Sequence, residues 1–295
     1  MKISFDETRR NKIGSYFLVG FFIVLIGLLG TAIGFIYNNL FFGLAISLFI
    51  GIIYSAFAYK SGDKMILKMS GAKPVTKKEY PHLFHTIEGL ALAAGVPTPK
   101  AYVIKDSALN AFATGKDPKH ASVTVTTGLL KKLNRQELEG VIAHEMSHIK
   151  NYDIRFMMLT VVLIGLVTLL SNFILRSFLF GGGRRNDKNG GLIIIIGLAL
   201  AILSPIAGYM VKLAISRKRE YMADSSAVTL TRYPPGLANA LRKISKDPNP
   251  LMNHANKATA NLFISTPFKK KKSFLNKLFS THPPIEERIK RLESM

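Results

Sequence analysis

The fold is decided first by residues 13–59, whose sequence is IGSYFLVGFFIVLIGLLGTAIGFIYNNLFFGLAISLFIGIIYSAFAY. None of these 47 positions carries a charge. One helix of about 20 residues already crosses a hydrocarbon core of about 30 Å, so the stretch is too long for a single span. The polar triplet Tyr37-Asn38-Asn39 divides it into two spans, about 15–36 and 40–58. A secretory signal peptide would have a shorter apolar run and a small-residue cleavage site. Residues 1–59 are therefore predicted to form a transmembrane hairpin.

Two further uncharged runs lie in the second half of the chain, at 156–175 and 189–211. A linker rich in glycine and arginine, residues 181–185, separates them. They predict a second transmembrane hairpin within residues 155–211, which brings the expected number of transmembrane helices to four. A buried hairpin inside a soluble domain is the alternative. It is disfavoured because residues 193–196 and their flanks have no polar face.

Composition narrows the class of protein further. Hydrophobic residues make up 48% of the 295 positions, which is too many for a disordered chain. The absence of cysteine excludes disulfide frameworks, Cys-ligated zinc, iron–sulfur clusters and thiol nucleophiles. The net charge of +22 indicates an anionic partner, and the hydropathy favours a lipid bilayer. No nucleic-acid partner is expected, because the basic residues flank the spans and lack interleaved aromatic stacking residues.

The distribution of basic residues predicts the orientation in the membrane. If there are four spans, all but four of the 40 Lys and Arg residues fall on one side. Basic loops stay in the cytoplasm, so both termini and both long polar regions, residues 60–154 and 212–295, are expected there. We therefore expect a multi-pass protein of the cell (inner) membrane whose functional site is cytoplasmic.

The first polar region has the pattern of an α+β domain. Residues 81–94 have helical apolar spacing, and residues 101–104 and 122–126 are short β-branched runs typical of strands. Residues 110–115 between them are predicted to form an edge strand or a turn. Asn134 followed by Glu137 is the pattern of a capping box, so a further helix is predicted to begin there.

That capped helix carries the sequence HEMSH at residues 144–148. Residues four apart lie on one face of a helix, so both His144 and His148 can bind one zinc ion. Glu145 is then placed to act as a general base toward water without being a ligand. The motif is short and also arises by chance, so an amphipathic helix with incidental polar residues is the alternative.

A zinc site of this kind needs a third ligand, and the chain has no cysteine. The best candidate is Glu220, in the segment RKREYMAD at residues 217–224. Asp224 lies four residues further along the same predicted helix. One of this acidic pair can bind zinc while the other accepts the free N–H of a ligand histidine.

Four segments together resemble the HtpX-type membrane zinc metallopeptidases, bacterial relatives of the CAAX prenyl endopeptidases. The resemblance covers nearly the whole chain, although the lysine-rich residues 268–279 match no family feature. The matching segments are NAFATG at 110–115, HEMSHIKNYD at 144–153, REYMAD at 219–224 and THPPIEERI at 281–289.

The resemblance implies a role for each matching residue. It implies one zinc ion per chain, bound by His144, His148 and Glu220, with Glu145 as the general base. It also implies that Asn110 and Ala111 belong to an edge strand that binds the substrate backbone. His282 would stabilise the transition state, with support from Arg288.

The sequence therefore predicts a mostly α membrane protein, with four transmembrane helices and a cytoplasmic α+β zincin-like metallopeptidase domain. Its expected function is hydrolysis of peptide bonds in membrane or misfolded proteins, in membrane protein quality control. A CAAX-type processing protease is one alternative, although those relatives are longer and have more spans. A catalytically silent, zinc-stabilised membrane scaffold is another, although such a protein would not need Glu145.

Overall fold

The computed structural model describes residues 2–36, 38–163, 165–166, 217–248, 262–264 and 283–295. Within these ranges the chain forms nine α-helices and one four-stranded sheet. The helices are α1 Lys2–Ile36, α2 Leu40–Met69, α3 Pro81–Ala94, α4 Thr127–Lys132, α5 Arg135–Lys150, α6 153–163, α7 Arg217–Thr231, α8 Pro234–Ser245 and α9 Ile285–Glu293. The strands are β1 Lys73–Pro74, β2 Lys100–Ile104, β3 Ala111–Thr114 and β4 Ser122–Thr126.

Helices α1 and α2 form the hairpin that the uncharged stretch predicts. Two segments of them, Asp6–Thr31 and Leu40–Met69, are long and apolar enough to cross a membrane. The connection is tight: Asn38 has a left-handed φ of 52°, and the Asn39 side chain accepts a hydrogen bond from the Phe42 N–H at 3.2 Å. Both helices are longer than the predicted spans, because a helix satisfies its own backbone hydrogen bonds and can continue past the membrane surface.

Glycines bring the two helices into close contact. A Cβ atom added at Gly43 would lie 2.6 Å from the Cα atom of Gly34, and one added at Gly34 would lie 2.7 Å from the carbonyl oxygen of Asn39. Only glycine allows backbones to approach this closely, which is a common basis of helix association in membranes. The hairpin is therefore a packed unit.

The C-terminal part of α2 joins the hairpin to the rest of the molecule. This part was expected to belong to the α+β domain, which the sequence suggested would begin at Lys60, but the helix continues to Met69. Gly62 lies against α6, where an added Cβ atom would be 3.2 Å from Met158 Cγ. The ring of Tyr59 lies 5.5 Å from the Arg155 guanidinium. The hairpin thus packs directly against the segment that follows α5.

The second predicted hairpin falls mostly outside the described residues. Of its first span, residues 156–163 and 165–166 are described and helical, and residues 189–211 lie outside. In the described part, Met158 and Leu163 are buried against Leu18 and Phe22 of α1. Two candidate membrane helices are thus present in the described part, and the total of four remains a prediction.

The sheet has the order β1-β2-β4-β3. Strands β2 and β4 are parallel, with Lys100 opposite Ser122, and β3 pairs antiparallel with β4 at the edge. The predicted strands at 101–104 and 122–126 are confirmed, and residues 110–115 contain an edge strand. The predicted helix at 81–94 is confirmed with the same bounds, and left-handed Gly95 ends it.

Helix α5 lies in the centre of the α+β domain. The capping box is confirmed: Asn134 Oδ1 accepts the Glu137 N–H at 2.9 Å, and Glu137 Oε2 accepts the Asn134 N–H at 2.8 Å. A Cβ atom added at Gly140 would lie 2.6 Å from the Leu237 nitrogen, so α5 and α8 are in close contact. Almost every residue from Glu137 to Ile149 is buried, which places the HEMSH segment in the interior.

Candidate metal centre

Two helices bring three possible metal ligands together. His144 and His148 lie one turn apart on α5, and Glu220 lies in the first turn of α7. The two His Nε2 atoms are 3.2 Å apart, and Glu220 Oε1 lies 3.5 Å from His148 Nε2. All three side chains are buried, and their donor atoms lie within 4.8 Å of one another. The three residues predicted as ligands therefore converge on one point.

The chemistry of this donor set fits zinc. Two imidazoles and one carboxylate form a zinc site that leaves a coordination position open. Each histidine directs its other nitrogen to an acid: His144 Nδ1 lies 3.0 Å from Asp224 Oδ1, and His148 Nδ1 lies 2.9 Å from Asp153 Oδ2. This arrangement fixes the tautomer that leaves both Nε2 atoms for a metal.

Asp153 is a residue of the site that sequence reasoning missed. It follows the metal-binding helix and begins α6, five residues after His148. The signal that could have found it is the need of each ligand histidine for an acceptor at its second nitrogen. From the sequence, only the pair Glu220 and Asp224 is expected to supply such an acceptor, although Asp153 is the last residue of the segment HEMSHIKNYD.

Glu145 lies beside the three donors. It is buried, and burial raises its pKa, which the neighbouring His144 and His148 offset only in part. The backbone N–H of Ala113 on β3 also offsets part of this rise in the pKa of Glu145. Together with the three metal donors, Glu145 faces a small cavity closed by Ala113, Met157, Leu262 and Ile264. A carboxylate at this place can accept a proton from a reactant bound at the metal.

Arg288 reaches the centre from α9 and is fully buried. Its guanidinium forks around Asp224, with Nε 2.8 Å from Oδ2 and Nη2 2.6 Å from Oδ1. Burial alone would raise the pKa of Asp224, but the charge of Arg288 and hydrogen bonds from His144 and Arg288 lower it below its ordinary value. Arg288 Nη1 also lies 3.4 Å from Glu220 Oε2. Arg288 therefore contacts both carboxylates that flank His144.

The edge strand β3 runs alongside the centre. The backbone of Asn110 is bonded inward to Thr126, whose N–H donates to the Asn110 carbonyl at 3.0 Å. The carbonyl of Ala111 points outward and accepts the Ile264 N–H at 2.9 Å. Ala111 and Ala113 thus supply the outer backbone groups of β3. Residues 262–264 lie against this edge, where Phe263 meets Phe112 edge to face with ring centroids 5.1 Å apart.

One predicted site residue cannot be placed. His282 lies outside the described residues, as does the lysine run 269–272. The description resumes at Pro283, directly before α9 and Arg288.

Comparisons with known proteins agree with this geometry. A model of peptidase family M48 matches residues 77–295. A Protease HtpX homolog of Dictyoglomus thermophilum is 46% identical over 291 residues, which are 99% of this chain and 94% of that protein. A Protease HtpX homolog of Ligilactobacillus salivarius is 41% identical over 297 residues, with 99% of each chain covered. The crystal structure of S. mikatae Ste24p shares the fold, with a TM-score of 0.53 and 22% identity over 99% of this chain and 67% of that one.

Proposed function

The chain belongs to peptidase family M48, and from this membership we propose that it is a membrane-bound zinc endopeptidase that cleaves membrane or misfolded proteins at the cytoplasmic face. It is a metallopeptidase, a hydrolase that acts on peptide bonds. The observation that carries the proposal is the convergence of His144, His148 and Glu220 beside the buried Glu145. The proposal includes a role in membrane protein quality control, which the two candidate membrane helices support by placing the site beside the membrane.

We assign the metal to His144, His148 and Glu220, with one zinc ion per chain. Zinc held there supplies a Lewis acid that activates water and polarises a peptide carbonyl. The protein supplies the rest. Asp224 Oδ1 lies 3.0 Å from His144 Nδ1, and Asp153 Oδ2 lies 2.9 Å from His148 Nδ1. The two acids thereby keep both histidines in the tautomer that leaves Nε2 for the metal.

Glu145 acts as the general base in this proposal. Its carboxylate takes the proton of the attacking water and delivers it to the leaving nitrogen, which is the usual route in peptide hydrolysis. Its place supports this role, because Glu145 and the three metal donors line the same small cavity.

The substrate backbone is proposed to pair with the outer edge of β3. Ala111 supplies a carbonyl acceptor there, while Asn110 supports the strand through its bonds to Thr126. In the structure this carbonyl accepts the Ile264 N–H, so a substrate strand would take the place of residues 262–264. An extended peptide added to a sheet edge is held by backbone hydrogen bonds and is therefore recognised with little dependence on sequence. This suits an enzyme that acts on misfolded chains.

His282 and Arg288 complete the proposed site. His282 is expected to donate a hydrogen bond to the carbonyl oxygen as negative charge builds on it. Arg288 supports the site through Asp224 and Glu220, which it contacts at 2.6 Å and 3.4 Å.

Casein cleavage by the purified full-length protein tests the proposal. We expect a chelator to abolish cleavage and zinc to restore it. The Glu145→Gln variant should keep its zinc and lose about 10²–10⁴-fold in kcat, because only the general base is removed. Glu139→Gln is the matched control, because Glu139 lies on the same helix and pairs with Arg135 at the surface.

Two results would contradict the proposal. Cleavage that survives the chelator would exclude a metal-dependent reaction, and normal turnover by Glu145→Gln would exclude this base. A wild-type protein that binds zinc without cleaving any protein would instead support the scaffold alternative.

A further inference from the structure

Helix α1 carries a buried amide that reaches the metal centre. Asn11 is 1% exposed, although it belongs to the first membrane helix. Its Nδ2 donates to the carbonyl of Asn151 at 2.9 Å and to Asp153 Oδ1 at 2.5 Å. Asn151 is the C-cap of α5 and Asp153 begins α6, so the amide holds the turn that directly follows the metal-binding helix.

Asp153 divides its two oxygens between this amide and a metal ligand. Oδ1 faces Asn11, and Oδ2 accepts from His148 Nδ1 at 2.9 Å. Because a carboxylate is planar, holding one oxygen fixes the direction of the other. A buried carboxylate also needs hydrogen bonds to offset its lost hydration, and Asn11 provides one of them. The orientation of the His148 ring therefore depends on Asn11.

Arg219 fixes the orientation of the amide. Its Nη1 donates to Asn11 Oδ1 at 3.2 Å, which leaves Nδ2 of Asn11 to face Asp153. Arg219 directly precedes Glu220, the third proposed ligand, and its Nε lies 3.7 Å from Asp153 Oδ1. Asn11 thus connects both segments that supply metal ligands.

We propose that Asn11 is a positioning residue of the metal centre, which orients His148 through Asp153 and ties the ligand-bearing helices α5 and α7 to the first membrane helix. The inference rests on the proposed zinc site. Helix α1 would then take part in metal binding in addition to anchoring the protein in the membrane.

The alternative is that Asn11 only attaches α1 to the domain. An attachment would affect the thermal stability of the protein and leave the metal geometry unchanged. Zinc has no visible spectrum because its d shell is full, so Co²⁺ bound in its place is the probe of geometry. The absorption bands of Co²⁺ respond to the orientation of its ligands.

The experiment measures zinc affinity and the Co²⁺ spectrum of the full-length protein in detergent. We expect Asn11→Ala to weaken zinc binding by about tenfold, the lower end of the effect of removing partners of ligand histidines, and to shift the Co²⁺ bands. Ser15→Ala is the control and should change neither readout. Ser15 lies one turn along the same buried face of α1, and its hydroxyl donates only within the helix, to the Asn11 carbonyl at 2.8 Å.

A double-mutant cycle separates the proposed route from a general effect. In an Asp153→Ala background, Asn11→Ala should cause no further loss of zinc affinity, because the interaction is already removed. Should Asn11→Ala not fold, Asn11→Ser, which keeps a small polar side chain, is judged by the same readouts.

Two results would overturn the inference and leave the proposed function intact. In the first, Asn11→Ala has the zinc affinity and the Co²⁺ bands of wild type. In the second, its effects add fully to those of Asp153→Ala. A wild-type protein that binds no zinc would contradict both.

Discussion

His144 lies among three charged groups, and all of them are buried. Asp224 and Glu220 face its two ring nitrogens at 3.0 Å and 3.8 Å, and Arg288 bridges these acids. Buried charges are costly unless each has a partner, and removing one partner leaves the others uncompensated. Every member of this group is therefore sensitive to substitution, including those that never touch a metal.

Asp224→Asn tests this dependence. The amide keeps the size of the side chain but removes the charge that Arg288 and His144 face. We expect zinc affinity to fall by about 10–100-fold, the usual effect of changing a residue that orients a ligand histidine. Competition with a chelator of known affinity measures it. Asp6→Asn, at an exposed position of α1, should bind zinc like wild type. Equal affinity of both variants would show that Asp224 does not orient His144.

The metal ligands could be predicted from the sequence, but the residues that orient them could be predicted only in part. The two histidines are four residues apart on one helix, and zinc chemistry requires a third ligand, which Glu220 supplies. Asp153 closes the segment 144–153, but its contact with His148 depends on a turn at left-handed Tyr152, with φ 61°. Asn11 has no pattern of its own, because it comes from a helix 140 residues earlier in the sequence. Such contacts depend on tertiary packing.

The hairpin of α1 and α2 depends on close contact between its two helices. Its two helices touch through Gly34 and Gly43, where no side chain would fit without moving the backbone. Close packing of this kind provides the attraction between helices in lipid, where burial of apolar surface contributes little.

Gly43→Ala should therefore destabilise the protein. An added methyl group at this contact forces the helices apart, at a cost of about 1–3 kcal/mol. Thermal unfolding in detergent measures the change as a lower Tm. Gly20→Ala is the control, because nothing lies within 4 Å of its added Cβ atom and alanine favours helix. An unchanged Tm for Gly43→Ala would show that this contact does not stabilise the hairpin.

Some elements could be predicted to the residue because local signals mark their ends. Helix α3 begins at Pro81 and ends before left-handed Gly95. The end of α2 could not be predicted, because charge marks where a helix leaves the lipid, and this helix continues beyond that point. The two-residue strand β1 has no signal of its own, since Lys73 and Pro74 are exposed and their pairing with β2 depends on the sheet.

For the molecule as a whole, the strictest test is on which side of the membrane each segment lies. The basic residues predict that reporter fusions after Thr76 and after Leu230 are cytoplasmic, and that one within residues 181–190 lies on the opposite side. Activity of paired cytoplasmic and periplasmic reporters measures this. Results on opposite sides after Thr76 and after Leu230 would contradict the structure as well, because Glu220 lies 3.8 Å from His144 and both must be on one side.

Two contacts tie the metal centre to the candidate membrane helices. The ring of Tyr59, the last residue of the uncharged stretch 13–59, meets the Arg155 guanidinium, and Asn11, within the first candidate span, donates to Asp153. Arg155 and Asp153 belong to α6, which begins directly after the turn beside His148. If α1 and α2 cross a bilayer, the centre would lie near the lipid headgroups, a zone only about 5–8 Å thick on each side of the hydrocarbon. A folded domain cannot enter that narrow layer, whereas a single extended strand can. In a protein with the proposed function, the bilayer itself would then favour extended segments over folded domains as substrates.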